Sequence, residues 1–454
     1  MRRRTFTAGA AGAAGAALLA AAGCEAPGEG ADGQDDGYGG GRAGSVTLTV
    51  LTHYASEPLA SALESAVDAW NASHRRVRVR TAAVKFQDLL TTYMVRQAAG
   101  QGADILHPYC LWTGQLVRAG VLRPAPPGAA RRIRRDFSAP AVAAASVAGT
   151  VYGYPTEVQT YALYYNRRLL REAGLGGPPR TWRELEDAAY RTARRDGHGN
   201  TLVQGFGLSR ADDSTVVGQT LALLAAGGGT LLSPDGRRAA VGSTAGREVL
   251  GLERRLIERG AADPGVPLFR AFPSGRVAMT VNAGWWTASL RSAMGADYRD
   301  VGVAPVPGPA AAGHGTLATG FLLGVNARSR HPREAWEFLH WLNGVPVPAV
   351  RPGGSPERVA VSRMSSLQVS VGSMTGRAGD MRALLGAPGR GDPNLLPFVD
   401  ALRYAVPEPN GPRAQRVRSL LRKNIEEVWT GRSTVDAALQ TLTGQLDQEL
   451  SRPS

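Results

Sequence analysis

Cysteine and lysine are nearly absent from this sequence of 454 residues. The two cysteines, Cys24 and Cys110, are too few for a disulfide-rich scaffold. The two lysines are Lys85 and Lys423, so arginine carries nearly all of the formal net charge of +14. Because the arginines are dispersed along the chain, we interpret the charge as a compositional bias and predict no nucleic-acid partner.

Long apolar runs and common catalytic motifs are also missing. No strongly apolar stretch of about 18 residues occurs after the first two dozen positions, which argues against a spanning helix in the mature chain. The sequence has no Gly-x-Ser-x-Gly elbow and no His-Glu-x-x-His motif, and its seven histidines are scattered. We therefore predict no metal, no cofactor and no enzymatic activity. A secreted carbohydrate-active hydrolase remains an alternative, because paired carboxylates have no fixed sequence spacing.

The N-terminus has the layout of an export signal. Arginines at positions 2–4 precede a small-residue apolar stretch, Ala8–Ala22, and then Gly23-Cys24. We interpret residues 1–24 as a signal peptide with a lipobox, in which Cys24 becomes the lipid-modified first residue. The start of the segment also resembles a twin-arginine signal. The protein is then anchored by lipid to the outer face of the cytoplasmic membrane. The alternative is an ordinary cleaved signal with a chance cysteine.

The body of the chain alternates strand and helix patterns. Residues 25–45 are rich in Gly, Asp and Ala and predict a flexible linker. Beyond it, β-type alternation and helical spacing of apolar residues succeed one another, which favours an α/β fold with a mainly parallel sheet. The segment Val345–Asn410 is rich in Gly and Pro, and we expect loops and short helices there. The predicted strands include Val46–Leu51, Val77–Val79, Ala162–Tyr165, Arg276–Val281, Val301–Pro305 and Phe321–Val325, and the predicted helices include Leu59–Ser73, Phe86–Ala99, Trp182–Arg195, Trp285–Ala293, Pro332–Leu342, Arg413–Trp429 and Thr434–Leu450.

Several segments, in collinear order, resemble the maltose-binding-like, family 1 extracellular solute-binding proteins. Each segment is weak alone, and their common order over nearly the whole mature chain carries the resemblance. The matching segments are Gly102–Leu106 with Gly120–Leu122 ("PDI…G.L"), Tyr154-Pro155 with Tyr164–Asn166 ("YP……YN"), Pro179–Leu185 ("PPKTWEEL"), Gly275–Asn282 with Gly284-Trp285 ("GKAAMTINGPW"), Tyr298–Pro305, Gly320–Asn326, Ala335–Leu339 ("AWEFL") and Gly431–Leu439.

The resemblance implies a two-lobed, periplasmic-binding-protein-like α/β fold with discontinuous lobes and a hinge. The N-terminal lobe is expected to comprise residues 46–157 and 320–344, and the C-terminal lobe residues 158–319 and 345–454. A small ligand would bind in the cleft between the lobes, which would close around it. The resemblance further implies a monomer that delivers its ligand to the permease subunits of an ABC importer.

Candidate binding residues follow from a rule for open α/β sheets, which bind ligands beyond the carboxyl ends of their strands. Together with the crossings that the resemblance implies, this rule selects residues in five segments. Our candidates are His53, Tyr54 and Glu57; His107, Tyr109 and Trp112; Glu157, Gln159 and Tyr161; Asn282, Trp285 and Trp286; and Thr319 and Gly320.

The chemistry of these candidates favours a mono- or oligosaccharide. Pyranose C–H faces pack on aromatic rings, and sugar hydroxyls need directional donors and acceptors such as Glu57, Glu157, Gln159 and Asn282. Some candidates have a structural interpretation instead: Trp285 and Trp286 begin a helix, so one of the pair should face the core, and the histidines would serve loop packing. Other ligands remain open, namely a polyol, a sugar phosphate or a peptide, as does a sensor role. For an anionic ligand, Arg351 is the candidate contact.

Overall fold

The computed structural model describes residues 45–452 except 212, 312–314, 352–357 and 386–391. The predicted signal segment and Cys24 therefore lie outside the described residues. The strands are β1 Val46–Thr52, β2 Val77–Ala83, β3 Ile105–Leu106, β4 Ser146–Val147, β5 Thr150–Val151, β6 Gly153–Asn166, β7 Arg194–Arg195, β8 Thr201–Phe206, β9 Val277–Ala283, β10 Val301–Ala304, β11 Leu317–Val325, β12 Pro346–Val350, β13 Arg358–Ser362 and β14 Val406–Pro407.

Helices alternate with these strands through most of the chain, as the sequence predicts. They are α1 Leu59–Ser73, α2 Phe86–Ala98, α3 Thr113–Arg118, α4 Pro127–Asp136, α5 Ala139–Ala144, α6 Arg167–Glu172, α7 Trp182–Thr192, α8 Gln219–Ala226, α9 Thr244–Glu258, α10 Leu268–Ala271, α11 Trp286–Met294, α12 Pro332–Asn343, α13 Arg363–Ser370, α14 Ala378–Leu385, α15 Leu396–Ala401, α16 Ala414–Trp429 and α17 Val435–Ser451.

The first strand–helix–strand unit shows how the pattern becomes structure. Alternation in β1 buries Leu48 and Val50, and β1 pairs in parallel with both β2 and β3. Helix α1 buries Leu63, Val67 and Trp70 at helical spacing. The Trp70 ring N–H donates to the Val77 carbonyl over 2.9 Å, which ties the helix to β2.

Most strands belong to one ten-stranded sheet with the order β2-β1-β3-β11-β6-β9-β8-β7, with β10 beside β6 and β14 beside β11. Strand β6 is buried along all of its 14 residues. Its first part pairs antiparallel with β11, and its second part pairs with β9 and β10. Because β11 also pairs with β3, β6 and β11 connect the two ends of the sheet.

Separate hydrophobic clusters flank this connection. The first half of the molecule, defined here by β1–β3 with α1, α4 and α12, has a cluster that includes Leu48, Trp70 and Phe338. The second half, defined by β7–β9 with α7–α9, α16 and α17, has another that includes Phe206 and Leu421. The α/β fold is confirmed, but the expectation of a mainly parallel sheet is wrong, because β6 pairs antiparallel with β9, β10 and β11, and β11 pairs antiparallel with β3. The predicted lobe boundaries stay a prediction.

The poorly patterned segment after Val345 holds more order than the sequence indicates. Strands β12 and β13 form an antiparallel hairpin that was not predicted, and α13–α15 are the expected short helices. Among the described residues, no helix is long and apolar enough to cross a membrane.

Candidate ligand-binding site

Polar and aromatic side chains from both ends of the chain meet where β6 and β11 cross the middle of the sheet. We call this group the junction cluster. The loops after β1 and β3, the centres of β6 and β11, and the segments around α13, β14 and α16 each contribute to it. Its members are His53, Tyr54, Tyr109, Glu157, Gln159, Tyr161, Thr319, Phe321, Gln368, Ser373, Glu408 and Arg418.

Glu157 is the centre of one side of the junction cluster. Its side chain accepts a hydrogen bond from the Tyr54 hydroxyl over 3.2 Å and from the Gln159 amide over 3.3 Å. The His53 ring nitrogen Nε2 lies 3.6 Å from the same carboxylate. Burial, together with the Glu157 charge, raises the pKa of Tyr54, which therefore keeps its proton and acts as a donor.

Helix α13 and the loop after it cover this side. The Gln368 amide donates to the Tyr54 hydroxyl, and the Gln159 amide donates to the Ser373 hydroxyl over 2.7 Å. Both glutamines are almost completely buried. Residues distant in sequence thus hold the polar groups of β6 in fixed orientations.

Glu408 is the centre of the other side. Its carboxylate accepts from the Tyr109 hydroxyl over 2.6 Å and from the Thr319 hydroxyl over 3.2 Å, and it pairs with Arg418 of α16. Burial opposes the charge on Arg418, but Glu408 outweighs it and raises the pKa of that guanidinium. Burial and Glu408 also raise the pKa of Tyr109. The cluster therefore contains the Glu408–Arg418 ion pair next to the buried hydroxyl of Tyr109.

An aromatic surface lies beside these polar groups. The Phe321 ring stacks on His53 with centroids 3.8 Å apart, and it also contacts Tyr109 at 5.4 Å. Phe86 stacks on Trp112 at 5.2 Å and leaves 41% of its own surface exposed. Flat rings next to fixed hydrogen-bonding groups can receive the C–H faces and the hydroxyls of one polar ligand.

Three buried polar atoms of the junction cluster have no hydrogen-bond partner among the described residues. They are Nδ1 of His53 and the amide oxygens of Gln159 and Gln368. A buried polar atom without a partner costs about 1–3 kcal/mol, so such atoms are rare in folded proteins. Their concentration here identifies groups that a ligand can satisfy.

His107 has a structural position within this region. Its two ring nitrogens are bound, Nδ1 to the Thr52 hydroxyl at 2.9 Å and Nε2 to the Thr156 hydroxyl at 3.1 Å. Burial and the neighbouring His53 lower the pKa of His107, which favours a neutral ring. His107 therefore orients the loop after β3 and supports the stacked His53 ring.

Gly320 also acts through the backbone. Its φ of +149° is in a region that side chains rarely adopt, and an added Cβ would lie 2.0 Å from the Glu157 carbonyl oxygen. Glycine at this position allows β11 to approach β6 closely, with Thr319 paired to Gln159 and Phe321 paired to Glu157.

Four predicted residues have their identified contacts outside the cluster. Glu57 is exposed and accepts from the Ser61 hydroxyl at the start of α1. Trp286 is buried against Tyr164 and Phe272, because the first turn of α11 directs it into the core. The other two are Asn282, which is fully buried in β9, and Arg351, whose Nε donates to the Ala383 carbonyl.

Trp285 is neither a member of the cluster nor buried in the core. It is 37% exposed, and its ring centroid is 5.6 Å from that of Phe269. It directly follows Gly284, where an added Cβ would be 3.3 Å from the Gln159 amide oxygen. The partly exposed Trp285 thus directly follows in sequence a glycine whose backbone packs near one of the unsatisfied atoms of the cluster.

Several cluster members were not predicted from the sequence. Phe321 stands one residue after the predicted Gly320, at the start of the predicted strand Phe321–Val325, and it was not among the candidates. Gln368, Ser373 and Glu408 lie in the segment without clear periodicity, and Arg418 lies in the predicted helix that follows it. Among the described residues, no group of three or more His, Cys, Asp or Glu side chains could hold a metal ion.

Solved structures share this architecture. The cyclic α-maltosyl-1,6-maltose binding protein of Arthrobacter globiformis is 23% identical and superposes with a TM-score of 0.74, over 90% of this chain and 99% of that one. The sugar-binding protein MalE of Xanthomonas citri is 20% identical, with a TM-score of 0.74 over 89% and 98% of the two chains. The fold is therefore the two-lobed α/β fold of periplasmic binding proteins.

Sequence comparison points in the same direction. A Brucella abortus chain named as a binding protein is 25% identical over 306 residues, 66% of this chain and 72% of that one. A Deinococcus radiodurans chain named "Probable ABC transporter-binding protein" is 24% identical over 312 residues, 66% and 69% of the two chains. The family model described as bacterial extracellular solute-binding protein matches residues 54–346, which is more than half of the sequence. The chain belongs to the bacterial extracellular solute-binding proteins.

Proposed function

We propose that this protein captures a mono- or oligosaccharide at the junction cluster and delivers it to an ABC importer. The observation that carries the proposal is the set of three unpartnered buried atoms on His53, Gln159 and Gln368 beside the stacked rings of His53 and Phe321. Sugar hydroxyls would satisfy the first set, and the C–H face of a pyranose would pack on the second. Structural relatives solved with α-D-tagatose, acarbose and maltotetraose support this ligand class.

The cluster also suggests how binding would be coupled to a movement of the lobes. Tyr54 bonds to Gln368 and Tyr109 bonds to Glu408, so the loops after β1 and β3 are already attached to the later part of the chain. A ligand held by both sides would stabilise the closed arrangement by its differential contacts alone. Closure between the predicted lobes is part of the proposal.

The first test is a thermal-shift screen of glucose, maltose, maltotriose and sucrose, with a tripeptide for comparison. A bound sugar at about a hundredfold excess over its Kd should stabilise the protein by about 2.7 kcal/mol. Stabilisation by a sugar supports the proposal. Stabilisation by the peptide alone would contradict it, and so would release of reducing sugar from an oligosaccharide, which would indicate a hydrolase.

Two matched glutamate variants then locate the site. Glu157→Gln keeps the size of the side chain but removes the acceptor charge that Tyr54 and Gln159 contact, and we expect about tenfold weaker sugar binding, or about 1.4 kcal/mol. Glu64→Gln makes the same change on the exposed face of α1 and should leave the Kd unchanged. Calorimetric titration measures both. Equal affinities for the two variants would place the sugar outside the junction cluster.

Substitution of Trp285 provides a second test of the same site. We propose that its exposed ring contacts the ligand, so Trp285→Ala should weaken sugar binding while the melting temperature of the free protein stays the same. Trp286→Ala should lower the melting temperature, because that ring is buried in the core. The opposite assignment of the two losses would contradict this division of roles.

We further propose that the mature protein is held at the outer face of the membrane by lipid on Cys24, after export by the twin-arginine route. The supporting pattern is the arginine pair, the apolar stretch and the terminal Gly23-Cys24. Mass spectrometry of the membrane-extracted protein should show a lipid-modified N-terminal cysteine, and Cys24→Ser should release the protein from membranes. Retention of Cys24→Ser at the membrane would contradict the anchor, and export that survives Arg3→Lys with Arg4→Lys would contradict the route.

A further inference from the structure

A concave site lies on the first half of the molecule, and it is lined by other residues than those of the junction cluster. It has a volume of about 930 Å³ and lies between α4 and α12. Six of its lining residues matter here: Pro126, Arg132, Arg333, Trp336, Glu337 and His340. We call it the outer pocket. None of its lining residues belongs to the junction cluster, so sugar capture does not account for it.

The walls of the outer pocket are fixed by the fold. Helix α4 buries Ala129 and Ile133, and α12 buries Trp336 and Phe338, in the same hydrophobic cluster. Prolines begin both helices and fix the backbone at the rim. The concavity is thus a feature of packed helices rather than of a long loop, and its volume is in the range of small-molecule sites.

Two polar groups at the pocket have unmet hydrogen-bonding capacity. The Trp336 ring N–H is buried, with the residue only 7% exposed, and it has no acceptor among the described residues. The same holds for Nε of Arg132, although its guanidinium also contacts the Tyr154 hydroxyl. Both groups are donors, so an occupant that satisfies them must supply acceptors.

The charge around the pocket has one dominant sign. Arg123, Arg132 and Arg333 line it, and Glu337 is its carboxylate. The nearby Asp136 is already paired with Arg135 and Arg377 on the neighbouring side. Burial and the Arg132 charge lower the pKa of His340, as expected beside excess positive charge. Unsatisfied donors and a net positive wall together favour an anion.

We propose that the outer pocket is a second ligand site, which binds a small organic anion composed of a carboxylate or phosphate group and an apolar body. The anionic group would accept from Arg132 and Arg333 at one end. The apolar body would lie on Trp336, Ala129 and the prolines of the rim. This assignment is independent of the sugar site, and either can fail without the other.

The experiment uses the purified protein labelled with 5-fluorotryptophan, in which each of the eight tryptophans contributes one ¹⁹F signal. Trp336→Phe identifies the Trp336 signal, and Trp285→Phe identifies a reporter of the junction cluster. Phenyl phosphate is the anionic probe, benzyl alcohol is its neutral counterpart, and inorganic phosphate lacks the apolar body. Phenyl phosphate should move the Trp336 signal saturably and leave the Trp285 signal in place. Benzyl alcohol and inorganic phosphate should each bind about tenfold more weakly or not at all.

Variants on helix α4 distinguish a specific binding site from a general attraction of the anion to positive charge. Arg132→Gln should weaken phenyl phosphate binding about tenfold. Arg131→Gln removes the same charge from an exposed neighbour that does not line the pocket, and it should have no effect beyond about twofold. Removal of the opposing carboxylate in Glu337→Gln should tighten binding about threefold. If Arg132→Gln does not fold, Arg333→Gln on the exposed rim replaces it, with the same expected direction.

Four results would overturn the assignment. The first is a Trp336 signal that does not shift at 10 mM phenyl phosphate (about the weakest binding of interest). The second is binding of benzyl alcohol that is as tight as that of phenyl phosphate. The third is an equal loss of phenyl phosphate affinity in Arg131→Gln and Arg132→Gln. The fourth is a shift of Trp336 produced only by vesicles that contain phosphatidylglycerol. That result would mean that the face contacts a membrane surface instead of a soluble anion.

Discussion

Two buried carboxylates in this protein are held in opposite ways. Glu408 of the junction cluster is 6% exposed and has a guanidinium, a phenol and a threonine hydroxyl around it. Glu253 in the core of the second half is completely buried and accepts only from neutral donors, the Trp429 ring N–H and the Thr220 hydroxyl, each over 2.8 Å. Among the described residues, no cation pairs with Glu253.

The difference shows what each environment does to a charge. A nearby guanidinium compensates the ionised Glu408, so the site keeps a fixed charge within a mostly buried cluster. Burial raises the pKa of Glu253 to about 7, because two neutral hydrogen bonds only partly replace the lost water. The junction cluster thus contains a compensated ion pair, whereas the core tolerates a carboxyl group that is close to neutral.

The largest expected effect on stability comes from removal of Arg418, the cation of the junction cluster. Arg418→Met leaves Glu408 buried and unpaired, and the free energy of unfolding should fall by about 3–5 kcal/mol. Chemical denaturation measures the loss. The double variant Arg418→Met with Glu408→Gln should recover a large part of it, since the isolated charge is gone. A loss below about 1 kcal/mol would mean that water or another group compensates Glu408.

The next effect is a pH dependence that belongs to Glu253. Its folded pKa of about 7 lies above the reference value of 4.5, so the folded state binds the proton more tightly. The associated stability, about 3 kcal/mol, is present below pH 4.5 and is lost as the pH rises through 7. Glu253→Gln should therefore remove this decline and be the more stable protein at pH 8. Parallel pH curves for the two proteins would contradict the assignment.

A smaller loss of stability is expected from removal of the Tyr109 hydroxyl in the junction cluster. Tyr109→Phe removes the hydroxyl that donates to Glu408 and accepts from Thr319, both over 2.6 Å. A hydrogen bond to a charged group contributes about 1.5–3 kcal/mol, so the loss should be near 1.5 kcal/mol with Arg418 still in place. A loss as large as that of Arg418→Met would show that the phenol, rather than the cation, compensates the carboxylate.

The smallest effect is expected at the surface and serves as a baseline. Arg247 pairs with Asp436 over 2.7 Å, but both side chains are more than half exposed. Arg247→Gln should change the free energy of unfolding by less than about 0.5 kcal/mol, because solvent and salt screen the pair. A larger loss in the same denaturation series would mean that this surface ion pair stabilises the fold despite screening.

The sequence predicts this fold well where one pattern governs one element. Strand β1 and helix α1 appear at their expected places, because alternation and helical spacing act within a few residues. The loop residues Tyr54 and Tyr109 were predicted from a rule about strand ends, and both lie in the cluster.

Partners that come from distant parts of the chain could not be predicted in this way. Tyr109 and Glu408 are separated by 299 positions, and Tyr54 and Gln368 by 314. Glu408 and Gln368 lie in a segment whose order depends on the rest of the fold, so no local period marks them. The adjacent Trp285 and Trp286 show the same limit: the helix pattern indicates that one faces the core, and only the packing decides which.

Strand β6 has a consequence for how the molecule comes apart. It is buried from end to end, and it supplies hydrogen bonds to strands on both sides of the junction. Neither half can unfold while the sheet of the other stays intact, because unfolding of either half breaks hydrogen bonds to the shared strand β6. We therefore expect a single calorimetric transition despite the separate cores, with the slowest amide-proton exchange along β6 rather than at the centre of either half.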